Sequence, residues 1–258
     1  LSALNIFFGI FATVFLLRIL VFKMKNIDVC LTPDLLHLHK IDNTIVIVAD
    51  IFRATSCMVT GFAYGVKAII PVETVEECQA LQAKGFIAAA ERDAQKVEGF
   101  ELDNSPFSYM DEKLIGEKIA MTTTNGTYSI TKVKSSAVKV LVGAFLNLNA
   151  IVEYLRTQPY DVLVLCAGWK GRVNLEDTLF AGAVVDAVQN EFFVAEDTAI
   201  LAMRMYQQAK DDMLSYLANS SHIRRLQRLG INKDIAYCLQ RDLYDVLPVL
   251  RGNELVNM

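Results

Sequence analysis

A chain of 258 residues, 53% of them hydrophobic, is long enough to bury a substantial core, as one large domain or two small lobes. With 21% charged residues, a formal net charge of −4 and no basic stripe, it lacks the electrostatic footprint of a nucleic-acid-binding protein. Five scattered cysteines, none in a C-x-x-C pair, argue against a disulfide framework and a structural zinc site, and point to a reducing compartment, the cytoplasm.

The first segment, Leu1 to Phe22, is strongly apolar and near the lower length limit for a membrane-spanning helix. It has no basic n-region and no clear cleavage site, and Met24-Lys25-Asn26 reads like an ordinary protein start. We therefore expect residues 1–23 to be an extension outside the fold and residues 24–258 to form the functional domain. The competing reading is an anchor over residues 1–22 backed by Lys23 and Lys25. His37-x-His39 reads as a surface segment, not a zinc motif.

Short β-branched runs then recur. Strands are expected over Thr44–Ile51, Lys67–Glu73, Gly85–Glu91, Lys118–Thr124, Lys139–Phe145 and Asp161–Ala167, with Pro71 suggesting an edge or a bulge in the second. Helices are expected over Ala54–Tyr64, over Thr74–Lys84, where Thr74 and Glu77 have capping-box spacing, and over Asn147–Arg156. From Leu175 onward helices dominate: Leu175–Asn190, Ala195–Ala209, Asp212–Ala218, Ser220–Leu229 and Lys233–Leu239. A last strand, Val246–Leu250, turns at Arg251-Gly252-Asn253. Alternation of strands and helices implies a layered α/β/α fold with a mostly parallel sheet, divided into two α/β lobes near residue 150 with the active site between them.

Ligands in open α/β sheets bind beyond the carboxyl ends of the strands. Here three such ends carry chemistry. The first is Asp50, followed by Arg53, Thr55 and Ser56. The second is the run Thr122-Thr123-Thr124-Asn125-Gly126-Thr127. The third is Cys166-Ala167-Gly168, followed by Lys170, Gly171 and Arg172. Hydroxyls and backbone N–H groups around Gly126, ahead of a helix, suit an anion; the plain alternative is a turn and helix cap without a ligand. Asp50 is placed to bind Mg²⁺ or act as a base, or simply to cap the next helix. Glu176 and Asp177 open a helix, where carboxylates also favour the dipole. Asp242 and Asp245 form a further acidic pair. Cys166 and Arg172 have the C-x₅-R spacing of thiolate phosphatases, against the alternative of a buried, inert cysteine. The P-loop, dinucleotide and nucleophile-elbow signatures are absent, as is the second Asp that haloacid-dehalogenase phosphatases carry two positions after the first.

These residues fall into an ordered series. Asp50-x-x-Arg53-Ala54-Thr55-Ser56 is followed by Pro71-Val72-Glu73-Thr74, by Glu98-Gly99-Phe100 with Asn104-Ser105-Pro106, and by the Thr122–Thr127 run. Then come Val142-Gly143-Ala144-Phe145-x-Asn147, Cys166-Ala167-Gly168 with Leu175-Glu176-Asp177-Thr178, and Asp242-x-x-Asp245-Val246-x-Pro248-Val249. Over essentially all of residues 40–250 the series resembles the 2-phosphosulfolactate phosphatase (ComB) family. The resemblance implies a Mg²⁺-dependent hydrolase converting 2-phospho-3-sulfolactate and water to 3-sulfolactate and phosphate, a step toward coenzyme M. The family also occurs in organisms that make no coenzyme M, so another phosphorylated hydroxy acid is the alternative substrate. A phosphorylated-metabolite-binding protein without turnover is the alternative function.

By the same resemblance Asp50, Glu176 and Asp177 are metal or acid/base candidates. Arg53, Thr55, Thr123, Thr124, Asn125, Gly126, Gly168 and Arg172 are anion-binding candidates. The nucleophile is either water or Cys166. The expected partner is a small anionic phosphorylated substrate, with neither nucleic acid nor membrane and with a homodimer as the assembly. Trp169 and Lys170, a bulky loop centre, Tyr128 after the Thr/Asn/Gly run, and residues 1–23 depart from the family pattern.

Overall fold

The computed structural model describes residues 24–92, 95–194 and 196–258; the extension 1–23 lies outside them. β1 (Lys25–Cys30) and a 3₁₀ turn (Pro33–Leu38) lead to β2 (Thr44–Ala49), α1 (Ala54–Ala63), β3 (Ala68–Pro71), α2 (Val75–Gln82), β4 (Ile87–Arg92) and β5 (Gln95–Lys96). β6 (Lys118–Thr122), α3 (Gly126–Val133), β7 (Lys139–Gly143), α4 (Leu148–Thr157), β8 (Asp161–Cys166), α5 (Leu175–Val188) and β9 (Phe192–Phe193) continue the alternation. The helices α6 (Asp197–Ala209), α7 (Met213–Leu217), α8 (Ser221–Arg228) and α9 (Asn232–Cys238) precede a closing hairpin of β10 (Pro248–Arg251) and β11 (Glu254–Asn257).

The strands form one sheet in the order β5-β4-β6-β3-β11-β10-β7-β2-β8-β1-β9. Two parallel sets, β4-β6-β3 and β7-β2-β8-β1-β9, are joined by the antiparallel hairpin. The sheet is therefore mostly parallel, as the α/β alternation implies. Every residue of β2 is buried, as a strand with neighbours on both edges and helices on its faces requires. Residue 150 lies inside α4, and the larger set takes strands from both sides of it, so no cut near that position separates the two sets. β3 is an interior strand, paired with β6 and β11; Pro71 is its last residue, where a missing N–H costs the ladder little.

Three antiparallel steps, β7–β10–β11–β3, make the two sets run in opposite directions. Between β2 and β6 lie five neighbour steps, and a twist of about 20–25° per step accumulates to roughly 100–125°. The carboxyl ends of β2 and β6 are thereby turned towards each other. A Cβ on Gly126, just past β6, would stand 2.6 Å from the Ala54 Cβ and 3.0 Å from the Asp50 Oδ2, just past β2. Only glycine permits that approach.

Local caps match the reading of the sequence. Thr74 accepts from the Glu77 N–H at 3.1 Å, and Glu77 accepts from the Thr74 N–H at 3.2 Å, closing the expected box. Among the described residues no helix is long and apolar enough to cross a membrane.

His39, expected as a surface residue, is instead half-buried. Its Nδ1 bonds the Asp28 Oδ2 at 2.8 Å, and Asp28 also accepts from Thr198 on α6, so the pair ties the 3₁₀ turn, β1 and α6 together. The Asp28 hydrogen bond raises the His39 pKa to about 10, Cys30 adding to it and burial opposing it. Because the folded value lies above the unfolded value of about 6.5, the stabilisation is full below about pH 6.5 and is lost as pH rises towards 10. His39→Ala should therefore lower the urea midpoint most at pH 6, with the deficit shrinking steadily by pH 9.5. A deficit independent of pH would contradict the ion pair.

Candidate functional site

The loops after β2, β6 and β8 meet because backbone groups at two of these strand ends share one acceptor. Asp177, in the first turn of α5, is wholly buried. Its Oδ1 accepts from the Ile51 N–H at 2.8 Å and its Oδ2 from the Gly168 N–H at 3.1 Å. Burial, then the charges of Glu176 and Asp50, push its carboxyl well above the usual range. The third loop joins through Asn125, whose Oδ1 accepts from the Lys170 N–H at 3.3 Å.

Between these loops opens a cleft lined by Asp50, Arg53, Thr124 and Asn125 from the expected set. Asp50 is buried, and its pKa is pushed up to about 7 by that burial; Glu91 and Glu176 add to the shift, while His222 and the Ala54 N–H oppose it. Arg53 caps α1 and is held by an ion pair with buried Asp234 on α9. Thr124 Oγ1 is buried and has no hydrogen-bond partner.

Other strand-end residues are spent on holding the loops. The Thr55 hydroxyl donates to the Asp50 carbonyl at 2.9 Å and accepts the Asp50 N–H at 3.0 Å, closing the β2–α1 turn. Thr123 and Thr127 exchange hydrogen bonds at 3.1–3.2 Å as a cap on α3. These local bonds occupy Thr55 and Thr123, and neither lines the cleft. Gly126 serves by its lack of a side chain. Gly168 has φ +58°, and a Cβ there would lie 2.3 Å from the Arg172 carbonyl oxygen, so its role is to let the loop turn.

The Cys166–Arg172 spacing does not build a phosphate-binding loop. Cys166 is the last residue of β8, fully buried, and burial followed by the Asp177 charge pushes its thiol well up, opposite to the activation a nucleophile needs. Of the loop amides, Trp169 and Arg172 bond each other's carbonyls at 2.8 and 3.0 Å, and Gly168 bonds Asp177. Those donors are not available to an anion. Arg172 points instead into a neighbouring groove, with Arg224, Arg225 and Arg228 of α8. Glu176 is wholly buried and hydrogen-bonds the His222 Nδ1; its Oε2 has no hydrogen-bond partner. Asp242 Oδ1 accepts from the Asn149 N–H at 2.6 Å, a cap on α4 away from the cleft.

The structure adds lining residues that the strand-end argument did not find: Glu91 at the end of β4, Asn104, Trp169, and His222 with Arg225 on α8. Asn104 is buried and its Oδ1 has no hydrogen-bond partner. The Arg225 guanidinium lies over the Trp169 ring, 4.0 Å from its centroid. Asn104 lies within the Asn104-Ser105-Pro106 motif, which was a visible signal. His222 and Arg225 sit in the helix expected over Ser220–Leu229, where nothing in the sequence pattern marks a ligand.

Two guanidinium groups, two amides and a hydroxyl thus face a pair of carboxylates, Asp50 and Glu91, across one cleft. Such a cleft defines an α/β protein that handles a small anion. Known proteins make the class specific. The family model for 2-phosphosulpholactate phosphatase matches residues 30–253. A probable 2-phosphosulfolactate phosphatase of Thermotoga petrophila is 41% identical over 204 residues, 79% of this chain and 88% of that protein. Its counterpart in Caldanaerobacter subterraneus is 37% identical over 212 residues, covering 80% and 88%, and that in Clostridium beijerinckii 32% over 236 residues, covering 89% and 98%. The chain belongs to the 2-phosphosulfolactate phosphatase family, and it is a hydrolase of the phosphatase class.

Removing the shared acceptor tests this construction. Asp177→Ala leaves two buried N–H groups unsatisfied and should cost about 2–4 kcal/mol of stability by urea unfolding. Unchanged stability would show that Asp177 does not hold the two strand ends.

Proposed function

We propose that the chain hydrolyses the phosphate monoester of a small 2-hydroxy acid that carries further negative charge, with 2-phospho-3-sulfolactate and water giving 3-sulfolactate and phosphate. The observation that carries this reading is the convergence of Arg53, Thr124, Asn125 and Arg225 on one cleft in which the buried Thr124 hydroxyl, a donor, has no hydrogen-bond partner. Buried polar atoms are seldom left unsatisfied unless a ligand or water completes them.

Among the described residues no three His, Cys, Asp or Glu side chains are grouped to hold a metal by themselves. Mg²⁺ asks for less than that: one or two carboxylates, with waters and substrate phosphate completing the shell. Asp50 and Glu91 fit this donor set, since their mutual repulsion contributes to the raised Asp50 pKa and a cation would relieve it. Glu176 and Asp177, engaged with His222 and with backbone amides, are left out of it. When bound, the ion would neutralise phosphate charge and polarise the phosphorus.

The chain's own groups supply the rest. Arg53, braced by Asp234, and Arg225, braced by Trp169, draw in and orient the phosphoryl oxygens. Asn104, Thr124 and Asn125 offer fixed dipoles around them, the preorganised environment that phosphoryl transfer needs. Phe52, Trp169 and Leu226 reduce the access of bulk water. Water is the nucleophile this arrangement favours, because the buried Cys166 thiol is held in its protonated form. The groove of Arg172, Arg224, Arg225 and Arg228 has no carboxylate among its lining residues and shares Trp169 and Arg225 with the cleft. Its field supports a substrate with a second anionic group.

Phosphate release from 2-phospho-3-sulfolactate and from 2-phospholactate tests the reading. Release should require Mg²⁺ and stop with EDTA. Asp50→Asn should lower kcat/KM at least about 100-fold, while folded Cys166→Ser stays near wild type. Abolition by Cys166→Ser would restore the thiolate route. Tight binding of these esters without release would instead favour a non-catalytic binding protein. Arg172→Ala should raise KM several-fold with kcat unchanged and flatten the salt dependence of kcat/KM; a loss confined to kcat would contradict an attracting role.

A further inference from the structure

Cleaving an alkyl phosphate expels a strongly basic alkoxide unless a proton reaches the bridging oxygen as the bond breaks. On the reading above, the cleft must hold its donor. Asp50 and Glu91 are the carboxylates assigned above to the cation. Arg53 and Arg225 do not deprotonate in proteins. Asn104, Thr124, Asn125 and Trp169 carry no proton that titrates near neutrality. Among the described residues that line the cleft, His222 remains.

Its setting suits the task. The imidazole is buried to 5% exposure on α8. Nδ1 hydrogen-bonds the Glu176 Oε1, a wholly buried carboxylate in the first turn of α5. The edge of the Phe52 ring, centroids 5.9 Å apart, fixes the ring from the side. Nε2 makes no hydrogen bond to any described residue, so with Nδ1 committed it is the nitrogen left to meet a ligand. A carboxylate behind Nδ1 that sets the tautomer and stabilises imidazolium is the arrangement that makes histidine an acid–base catalyst.

We propose that His222 is the catalytic residue that protonates the leaving alkoxide, and that Glu176 is its positioning residue. The ester P–O bond breaks with its electron pair passing to the bridging oxygen, which takes the Nε2 proton. The oxygen of the attacking water forms the new bond to phosphorus. One of that water's protons returns through solvent to His222, so the cycle closes with hydroxy acid and phosphate as the only products. This inference rests on the hydrolytic reading and deepens it.

The test varies the acidity of the leaving group on one carbon skeleton: 2-phospholactate against 3,3,3-trifluoro-2-phospholactate, whose hydroxyl is far more acidic and needs less help to leave; each variant is compared with wild type on the same ester, so the bulk of the trifluoromethyl group cancels. His222→Gln should lower kcat for 2-phospholactate by about 10²–10⁴-fold and for the trifluoro ester by less than about tenfold. Glu176→Gln, which keeps an acceptor for Nδ1 but removes the charge, should show the same discrimination at smaller amplitude. Both variants are first checked by near-ultraviolet circular dichroism and urea unfolding. Equal losses on the two esters would assign His222 to structure or binding and overturn the proposal. A wild-type enzyme that releases phosphate from neither ester and none from 2-phospho-3-sulfolactate would overturn the hydrolytic reading itself, and this one with it.

Discussion

One buried carboxylate governs the geometry of the cleft. Asp177 accepts the backbone N–H groups of Ile51 and Gly168, and so fixes the exits of β2 and β8 relative to the start of α5. Two amides held by one side chain leave their loops little freedom, and the low dielectric around Asp177 makes breaking either bond costly. Gly126 supplies the second half of the constraint, bringing the exit of β6 to within van der Waals contact of Ala54 and Asp50. The reversal of strand direction across the C-terminal hairpin would otherwise carry β6 away. Twist accumulated over the intervening strands, and a residue without a side chain at the meeting point, turn it back.

Charge is distributed against the protein's overall balance. The chain carries a net −4, yet Arg53 and Arg225 face the cleft and Arg172, Arg224 and Arg228 face the groove beside it. Asp234 and Trp169 brace the two cleft arginines, so their entropy is spent before a ligand arrives. On the acidic side the cleft presents Asp50 and Glu91, while Glu176 stands behind His222. On the proposed reading, cation-holding, anion-holding and proton-carrying groups would thus fall into distinct pairs within one small volume. That separation allows neighbouring carboxylates to serve different chemistry.

The parts of this arrangement carried by local pattern were legible in the sequence. The β2, β6 and β8 runs are apolar because both faces of the sheet are covered, and their exits necessarily carry the polar residues. That is why Asp50, Arg53, Thr124 and Asn125, which line the cleft, stand out in the sequence as strand-exit residues. Sequence cannot tell a hydroxyl that lines a cleft from one that closes its own turn, so Thr55 and Thr123 looked equivalent to Thr124. The C-x₅-R spacing left two readings open for a related reason. It fixes the distance along the chain between Cys166 and Arg172, but the mutual hydrogen bonds of Trp169 and Arg172 decide where the loop amides point. Glu91, Asn104, His222 and Arg225 arrive from elements distant in the chain, and only tertiary packing brings them to the cleft. The turn at Arg251-Gly252-Asn253 was legible, but that the four residues of β11 after it pair with β3 and so join the two strand sets was not.

The central claim is that three strand-end loops and α8 form a single anion site. Crystals grown with tungstate test it most directly, because tungsten is located by anomalous scattering and the ion imitates phosphate. The account predicts a tetrahedral anion in contact with Arg53, Asn104 and Asn125 at once. Tungstate ordered only in the groove of Arg172 and Arg228, with no density between Arg53 and Asn125, would contradict it.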